Sequence, residues 1–254
     1  MRIVHFKYDH KENWGVVKKG VVHVLKTPPY KGISYSGVTV PFQKISLLAP
    51  ATPSKIVLVG LNYKNHAKEL SMKIPKEPII FLKPPTAVIN PYDAIVYPKS
   101  VARLDYEAEL ALVIKKKAHN ISEKEASKYI LGYTCCNDVT ARDLQKKDGQ
   151  WTRAKSFDTF CPVGPWIETK LDPSAVKVRT FLNENLQQNS CTSQFIFSVS
   201  YLVSFISSVM TLNAGDVIST GTPPGVGSMK VGDHVRVNVD GIGELENTVT
   251  SCDK

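Results

Sequence analysis

The chain has 254 residues, of which 43% are hydrophobic and 22% are charged, a composition that excludes a disordered protein and allows a core that needs no disulfides. Five cysteines without any CxxC pair indicate a reducing compartment and argue against a zinc ribbon. The net charge of +9 raises nucleic acid as a partner, but the lysines form small clusters without aromatic interleaving, so we expect a small anionic substrate instead.

The first 50 residues contain short alternating apolar runs, RIVHFKY and WGVVKKGVVHVL, separated by TPPYKG. We predict a small N-terminal β-rich module over residues 1–50 and a second, larger domain over residues 51–254. Charges begin at the second residue, and the most apolar helical window, residues 201–210, is half the length of a membrane span. We therefore expect a cytoplasmic protein with no membrane partner.

The stretch IVLVGLNYKNHAKELSM predicts a buried strand, a turn at Gly60 to Asn62 and a short helix. His66 and Glu69 are three residues apart on that helix and share a face, where a carboxylate can orient an imidazole as a general base. A surface pair of no catalytic importance has the same spacing, so both interpretations stay open from this motif alone.

The stretch LDYEAELALVI predicts one strand, Leu104 to Ile114, buried on both faces. Glu107 and Glu109 point to the same face, where two buried like charges must lose their charge or find a cation. A bound divalent metal meets that need. The alternative is a twisted edge strand whose glutamates face water or pair with Lys99 or Arg103.

The capping box SEKE predicts a helix from Ser122 to about Leu131, which leads into GYTCCNDVTARDLQ. That motif predicts a strand whose end exposes Asn137 and Asp138, followed by a short helix near Thr140. Asp138 could complete a set of three carboxylates, and hard oxygen ligands without nearby Cys or His favour Mg²⁺ or Mn²⁺. Asp138 could equally cap the helix that follows.

Lys155 lies among apolar and aromatic residues in WTRAKSFDTFCPVGP, where an ammonium beside a metal could stabilise an enolate or donate a proton. An exposed loop lysine is the alternative.

The final hundred residues predict strands and hairpins around one helix at 199–210. The loop STGTPPGVG at 219–227 lacks the GK[ST] of a phosphate loop, and it could present Thr222 to a small carboxylate or form a plain turn.

Taken together, the motifs resemble the fumarylacetoacetate hydrolase superfamily, in particular its acylpyruvate hydrolase and hydroxymuconate isomerase branches. The resemblance spans roughly residues 56–249 and rests on VGLNYKNHAKEL, FLKPPTAV, DYEAELALVI, GYTCCNDVTARDLQ, KSFDTFCPVGPW, LNAGDVISTGTPPGVG and VGDHVRV. It implies an α+β, β-dominated fold with a mixed β-roll, barrel-like core, and usually a homodimer. The chain departs from the family's Asn-Gly-Glu hairpin turn, because it has NENLQQ at 183–188.

The resemblance also implies a role for each candidate site residue. These are Mg²⁺ or Mn²⁺ ligation by Glu107, Glu109 and Asp138, a His66 and Glu69 pair on a lid-like segment, Lys155 beside the metal, and substrate contacts by Arg142, Gln145 and Thr222.

The implied activity is hydrolysis of the C3–C4 bond of an acylpyruvate, a small 2-oxo acid, through an enolate that the metal stabilises. His66, oriented by Glu69, would activate water, and Lys155 would stabilise or protonate the departing enolate. The same groups without water attack would isomerise a 2-hydroxyhepta-2,4-diene-1,7-dioate or decarboxylate an oxaloacetate-type acid. A non-catalytic metal or nucleic-acid binding module is favoured only if the pair and Lys155 lie far from the carboxylates.

Overall fold

The computed structural model describes residues 1–252, and β-strands dominate its architecture. The strands form three sheets of twelve, three and five members with mixed pairing, and each sheet ends in edge strands within the described part of the chain. This arrangement confirms the predicted α+β, β-dominated class. No helix within residues 1–252 has the length and apolarity that crossing a membrane requires.

Nine strands and one α-helix precede Leu104, where the segment with the two glutamates begins. They are β1 (Arg2–Tyr8), β2 (Lys11–Lys18), β3 (Val21–Leu25), β4 (Tyr35–Pro41), β5 (Ser46–Leu48), β6 (Ile56–Val59), α1 (Lys64–Glu69), β7 (Ile80–Lys83), β8 (Val88–Ile89) and β9 (Ala94–Tyr97).

The second half of the chain begins at the glutamate segment. Its elements are β10 (Leu104–Tyr106), β11 (Ala108–Ile114), β12 (Ile130–Asn137), β13 (Thr140–Ala141), α2 (Arg142–Asp148), α3 (Thr152–Lys155), β14 (Cys161–Glu168), β15 (Lys177–Leu182), β16 (Asn185–Cys191), α4 (Val199–Val209), β17 (Val217–Ser219), β18 (Gly227–Met229), β19 (His234–Val239) and β20 (Gly243–Ser251).

The large sheet has the order β4-β3-β2-β1-β14-β12-β11-β17-β6-β7, with β5 paired to β1 and β8 to β14. The N-terminal strands thus continue the sheet that carries the candidate site, because Ile3 of β1 pairs with Ile167 of β14. Ile3 and Trp14 also share one buried cluster with Leu58 and Ile167. The division into two domains stays a prediction, but the two segments share a sheet and a core.

The strand predicted from Leu104 to Ile114 is interrupted at Glu107. β10 pairs with β13 and β18 in the three-stranded sheet, whereas β11 pairs with β12 and β17 in the large sheet. A single continuous strand was therefore wrong, because the chain passes from one sheet to another at that residue. The predicted burial on both faces is confirmed, since every residue of β11 is buried.

The helix predicted from Ser122 to Leu131 is a 3₁₀ helix over Glu123–Tyr129. The Glu125 amide donates to the Ser122 carbonyl three residues back, the 3₁₀ pattern, while the Ser122 hydroxyl donates to the Glu125 carboxylate and not to the backbone. The predicted capping box is thus not formed, because neither side chain accepts a hydrogen bond from the other residue's backbone amide. The strand β6, the short helix α1 and the single later helix α4 all lie where the sequence predicts them.

Candidate functional site

The pairing of β11 with β12 brings the three predicted carboxylates together. Ala108 pairs with Asn137, which places Glu107 opposite Asp138, and the Asp138 amide donates to the Glu107 carbonyl at 2.9 Å. Ligand atoms of Glu107, Glu109 and Asp138 all lie within 4.8 Å of one another, and all three residues are buried. Buried like charges at this distance repel each other strongly unless cations offset them.

Two buried lysines supply part of that offset. Lys155, at the end of α3, donates to Glu107 at 3.0 Å, to Asp138 at 2.5 Å and to the Thr140 hydroxyl at 2.6 Å. Lys83, at the end of β7, lies 2.6 Å from the other Asp138 oxygen. Lys155 is thus beside the carboxylates as predicted, and the alternative of an exposed loop lysine is wrong because only 2% of its side chain is exposed.

The guanidinium of Arg142 completes the positive side of the site. Its Nε donates to Asp105 at 2.8 Å, one terminal nitrogen donates to Glu107, and the other donates to Gln145 at 2.6 Å. Burial alone would raise the pKa of Glu107, but Lys155 and Arg142 outweigh it and lower this pKa to about 2. Burial would lower the pKa of Lys155, yet Asp138 and Glu107 raise it. Both groups are therefore charged at neutral pH.

Glu109 differs from its two neighbours because its partners in the described chain are neutral. It accepts hydrogen bonds from the Ser219 hydroxyl and from the Gly221 amide. Burial, followed by the nearby Asp138 carboxylate, raises the pKa of Glu109 well above its usual value. A divalent cation held by Glu107, Glu109 and Asp138 would supply the missing countercharge. This all-oxygen donor set fits a hard ion such as Mg²⁺ or Mn²⁺.

The structure also decides two alternatives that the sequence left open. Asp138 does not cap α2, whose N-cap is Ala141 with no side-chain hydrogen bond. Glu109 lies on a central strand of the large sheet with 1% of its surface exposed, so an edge strand with glutamates in water is wrong. The prediction that the end of β12 exposes Asn137 and Asp138 was wrong as well, because both are buried.

On α1, His66 and Glu69 form the predicted pair. His66 Nδ1 lies 2.8 Å from one Glu69 oxygen, and because a carboxylate only accepts, Nδ1 carries the proton and Nε2 is the basic nitrogen of the neutral ring. The other Glu69 oxygen accepts from the Gly225 amide at 3.0 Å. Glu69 therefore orients His66 and at the same time ties α1 to the loop before β18.

One cavity of about 310 Å³ brings the predicted site residues together. Its polar wall contains His66, Glu107, Glu109, Asp138, Arg142, Gln145, Lys155 and Thr222. The apolar part of the lining comes from Leu61, Leu70, Met72, Ile79, Phe81 and Trp151. Of the predicted residues, only Glu69 does not line this cavity, and it contacts His66, which does. The volume suits a small molecule.

Gln188 on β16 is a site-supporting residue that the sequence did not indicate. Its carbonyl oxygen accepts from the Ala108 amide at 2.9 Å and from Thr180, and its amide nitrogen donates to the Thr222 hydroxyl at 2.9 Å and to the Pro223 carbonyl at 2.8 Å. Thr222 in turn donates to the Ala108 carbonyl at 2.9 Å. Gln188 thus joins the backbone between the two glutamates to the loop that carries Thr222.

The sequence matches the fumarylacetoacetate (FAA) hydrolase C-terminal family over residues 55–250 and the Rv2993c-like N-terminal family over residues 1–50. The structure of a 5-carboxymethyl-2-hydroxymuconate delta-isomerase from Mycobacterium smegmatis matches with a TM-score of 0.94 and 42% identity, covering 99% of this chain and 100% of that one. A 2-hydroxyhepta-2,4-diene-1,7-dioate isomerase from Mycobacterium marinum gives 0.93 and 41%, with 100% of both chains covered. The mitochondrial oxaloacetate tautomerase fahd2 of Xenopus laevis is 47% identical over 218 residues, which are 81% of this chain and 68% of that protein.

Proposed function

Because this chain belongs to the fumarylacetoacetate hydrolase superfamily, whose members include isomerases and tautomerases, we propose that it is a divalent-metal-dependent enzyme that interconverts the keto and enol forms of small 2-oxo acids. The observation that carries this proposal is that the His66 base opens on the same cavity as the buried carboxylates. Proton transfer next to a carbonyl needs both a base and a site that accommodates negative charge on oxygen. The names of the related isomerases and of the tautomerase support the same reaction class.

The proposed reaction moves one proton between carbon and oxygen. Nε2 of His66 takes a proton from C3 of the 2-oxo acid and returns it to the oxygen on C2, so no atom enters or leaves. When a divalent cation is bound by the three carboxylates, it supplies Lewis-acid stabilisation of negative charge on the substrate oxygens. Glu69 stabilises the imidazolium that forms on His66. The Lys155 ammonium offsets the negative charge of Glu107.

The apolar part of the cavity lining favours proton transfer over attack by water. Phe81 and Trp151 pack edge to face with ring centroids 5.1 Å apart, and Lys155 lies 5.1 Å from the centroid of the Phe81 ring. The faces of these rings hold water only weakly, since an aromatic ring face neither donates nor accepts strongly. A proton transfer needs no ordered water, whereas hydrolysis does.

Hydrolysis of an acylpyruvate, the activity predicted from the sequence, is the second candidate. The observation that favours it is the His66 and Glu69 pair, because an imidazole oriented by a carboxylate is the arrangement that activates water. Decarboxylation of an oxaloacetate-type acid would use the same charge stabilisation, but it needs no general base. The pair therefore favours tautomerisation or hydrolysis over decarboxylation.

The test follows two reactions with one set of proteins. Wild type should accelerate the enol-to-keto conversion of oxaloacetate, which is measured as the loss of enol absorbance. Exhaustive chelation should abolish this activity until Mg²⁺ or Mn²⁺ is restored. His66→Ala should lower the rate by about 10² to 10⁴, the worth of a positioned base. His119→Ala, at an exposed position outside the cavity, is the matched control and should retain the activity.

Acetylpyruvate distinguishes the two candidates. Release of pyruvate from acetylpyruvate, with no acceleration of oxaloacetate tautomerisation, would replace the tautomerase by the hydrolase. Full activity in the presence of chelator, or in His66→Ala, would contradict both candidates.

A further inference from the structure

A second cavity, of about 420 Å³, adjoins the first. The two share five lining residues, namely His66, Leu70, Arg142, Gln145 and Lys146. The second cavity adds Glu69, Arg103, Asp105 and Val226. A ligand held near the carboxylates can therefore extend towards this second cavity past α2.

One face of α2 forms the shared wall. Arg142, Gln145 and Lys146 occupy positions i, i+3 and i+4 of the helix, so their side chains lie on the same face. Arg142 contacts Glu107 at the inner end, and Lys146 lies one helical turn further out. Lys147 is exposed and lines neither cavity, because it is turned by about 100° from Lys146.

The cations of this wall differ in what they already bind. Arg142 is paired with Asp105 and Glu107, and Arg103 donates to Asp105 at 2.8 Å. The two acidic residues of the second cavity are also paired, Asp105 with these two arginines and Glu69 with His66 and the Gly225 amide. The side-chain ammonium of Lys146 makes no hydrogen bond or ion pair with any residue of 1–252. Lys146 thus lines both cavities, and its positive charge is available to a ligand.

We propose that Lys146 binds the distal carboxylate of a dicarboxylic 2-oxo acid and gives the enzyme its preference for dicarboxylic over monocarboxylic substrates. This inference rests on the proposed function, because that function places the 2-oxo acid end of the substrate at Glu107, Glu109 and Asp138. The carboxylate at the other end of the substrate then faces the part of α2 that carries Lys146. An ammonium there forms a charge-assisted hydrogen bond with it, whereas an uncharged substrate end gains nothing from the lysine.

The kinetic experiment compares Lys146→Gln with Lys147→Gln, two neighbouring substitutions that change the net charge equally. Oxaloacetate is the dicarboxylic substrate, and phenylpyruvate, which also tautomerises, is the monocarboxylic one. The ratio of kcat/KM for oxaloacetate to kcat/KM for phenylpyruvate should fall about tenfold or more in Lys146→Gln, the effect of losing one charged hydrogen bond, mainly through a higher KM for oxaloacetate. Lys147→Gln should keep the wild-type ratio. An unchanged ratio in Lys146→Gln, or an equal fall in both variants, overturns the assignment.

A binding experiment separates the failure of this inference from the failure of the proposed function. Oxaloacetate and pyruvate differ by one carboxylate, and their Kd values for the metal-loaded protein can be measured by calorimetry at keto–enol equilibrium, where no net tautomerisation contributes heat. Wild type should bind oxaloacetate more tightly than pyruvate, and Lys146→Gln should reduce that difference about tenfold. If neither substrate tautomerises but the difference in Kd depends on Lys146, the proposed function is wrong and the dicarboxylate site stands. If tautomerisation is present and the difference is unaffected by Lys146, the site assignment is wrong.

Discussion

At the scale of single residues, the side chains that matter most here were not equally visible in the sequence. Glu107 and Glu109 could be predicted because a carboxylate within an apolar strand conflicts with its surroundings. Gln188 creates no such conflict, since a neutral amide in a hairpin is ordinary. Its importance depends on partners drawn from β11, β15 and the 222–223 loop, which only the folded chain brings together. Lys83 was missed because its partner, Asp138, is distant in the sequence.

Replacing Gln188 should destabilise the protein more than its position in a hairpin suggests. Gln188→Ala leaves the buried Ala108 amide and Pro223 carbonyl without partners, so we expect a loss of about 3 kcal/mol in the free energy of unfolding, measured in urea. Gln187→Ala, at the exposed neighbouring position, should change stability by less than about 0.5 kcal/mol. Equal effects of the two substitutions would mean that the Gln188 hydrogen bonds contribute nothing net.

At the scale of elements, the sequence predicted those whose identity depends on local pattern. Strand β6 is a short apolar run, and α4 has an apolar stripe at helical spacing with Ser198 as its N-cap. The interruption at Glu107 could not be predicted in this way, because β10 and β11 choose different partners from distant parts of the chain. Local pattern predicts that a segment is extended, and long-range pairing decides which sheet it joins.

The loop before β18 holds Glu69 through a glycine that has no room for a side chain. Gly225 has φ +91°, and a Cβ there would lie 2.4 Å from the Gln187 carbonyl oxygen, while Gly232 has φ +93° and open space. Gly232→Ala should therefore cost only backbone strain, about 1 kcal/mol. Gly225→Ala should in addition displace the loop and lower kcat/KM for oxaloacetate by about tenfold or more, since Glu69 loses its amide donor. Similar kcat/KM values for the two variants would refute this coupling.

Strand β1 carries a histidine that makes folding sensitive to pH. His5 stacks on Trp14 with ring centroids 4.4 Å apart, its Nδ1 lies 3.0 Å from the Ala49 carbonyl, and burial lowers its pKa from 6.5. The unfolded chain then binds the proton more readily than the folded one. The stability from the neutral ring is therefore complete above pH 6.5 and is lost as the pH falls through the lowered value.

We accordingly expect the fall in Tm between pH 7.5 and pH 5 to be smaller in His5→Phe than in wild type. His119→Phe changes an exposed histidine and should keep the wild-type pH dependence. An identical pH dependence in wild type and His5→Phe would show that His5 does not limit stability in this range.

At the scale of the whole molecule, the N-terminal segment and the rest of the chain share one sheet. Deletion of residues 1–50 should leave β14 without its β1 neighbour and expose Ile167 and Leu58, which pack against Ile3 and Trp14. An unpaired strand edge beside apolar surface favours aggregation. We expect residues 51–254 alone to be insoluble or to lack a cooperative thermal transition by circular dichroism. A soluble, cooperatively folding fragment would support two independent domains.

The different locations of the charged site residues and of the rest of the cavity lining have a consequence for how enzymes with this fold acquire new substrates. The carboxylates lie in or directly beside the buried strands β11 and β12, and their lysines end β7 and α3. Much of the surface that a substrate meets comes instead from α2 and from the segment between α1 and β7, where Leu70, Met72 and Ile79 are half exposed. Substitutions in those peripheral segments change the shape and charge of the cavity at little cost to folding, since few core contacts depend on them. Natural selection can thus exchange one substrate for another while the charge-stabilising centre is inherited intact, and new specificities can arise without passing through unfolded intermediates.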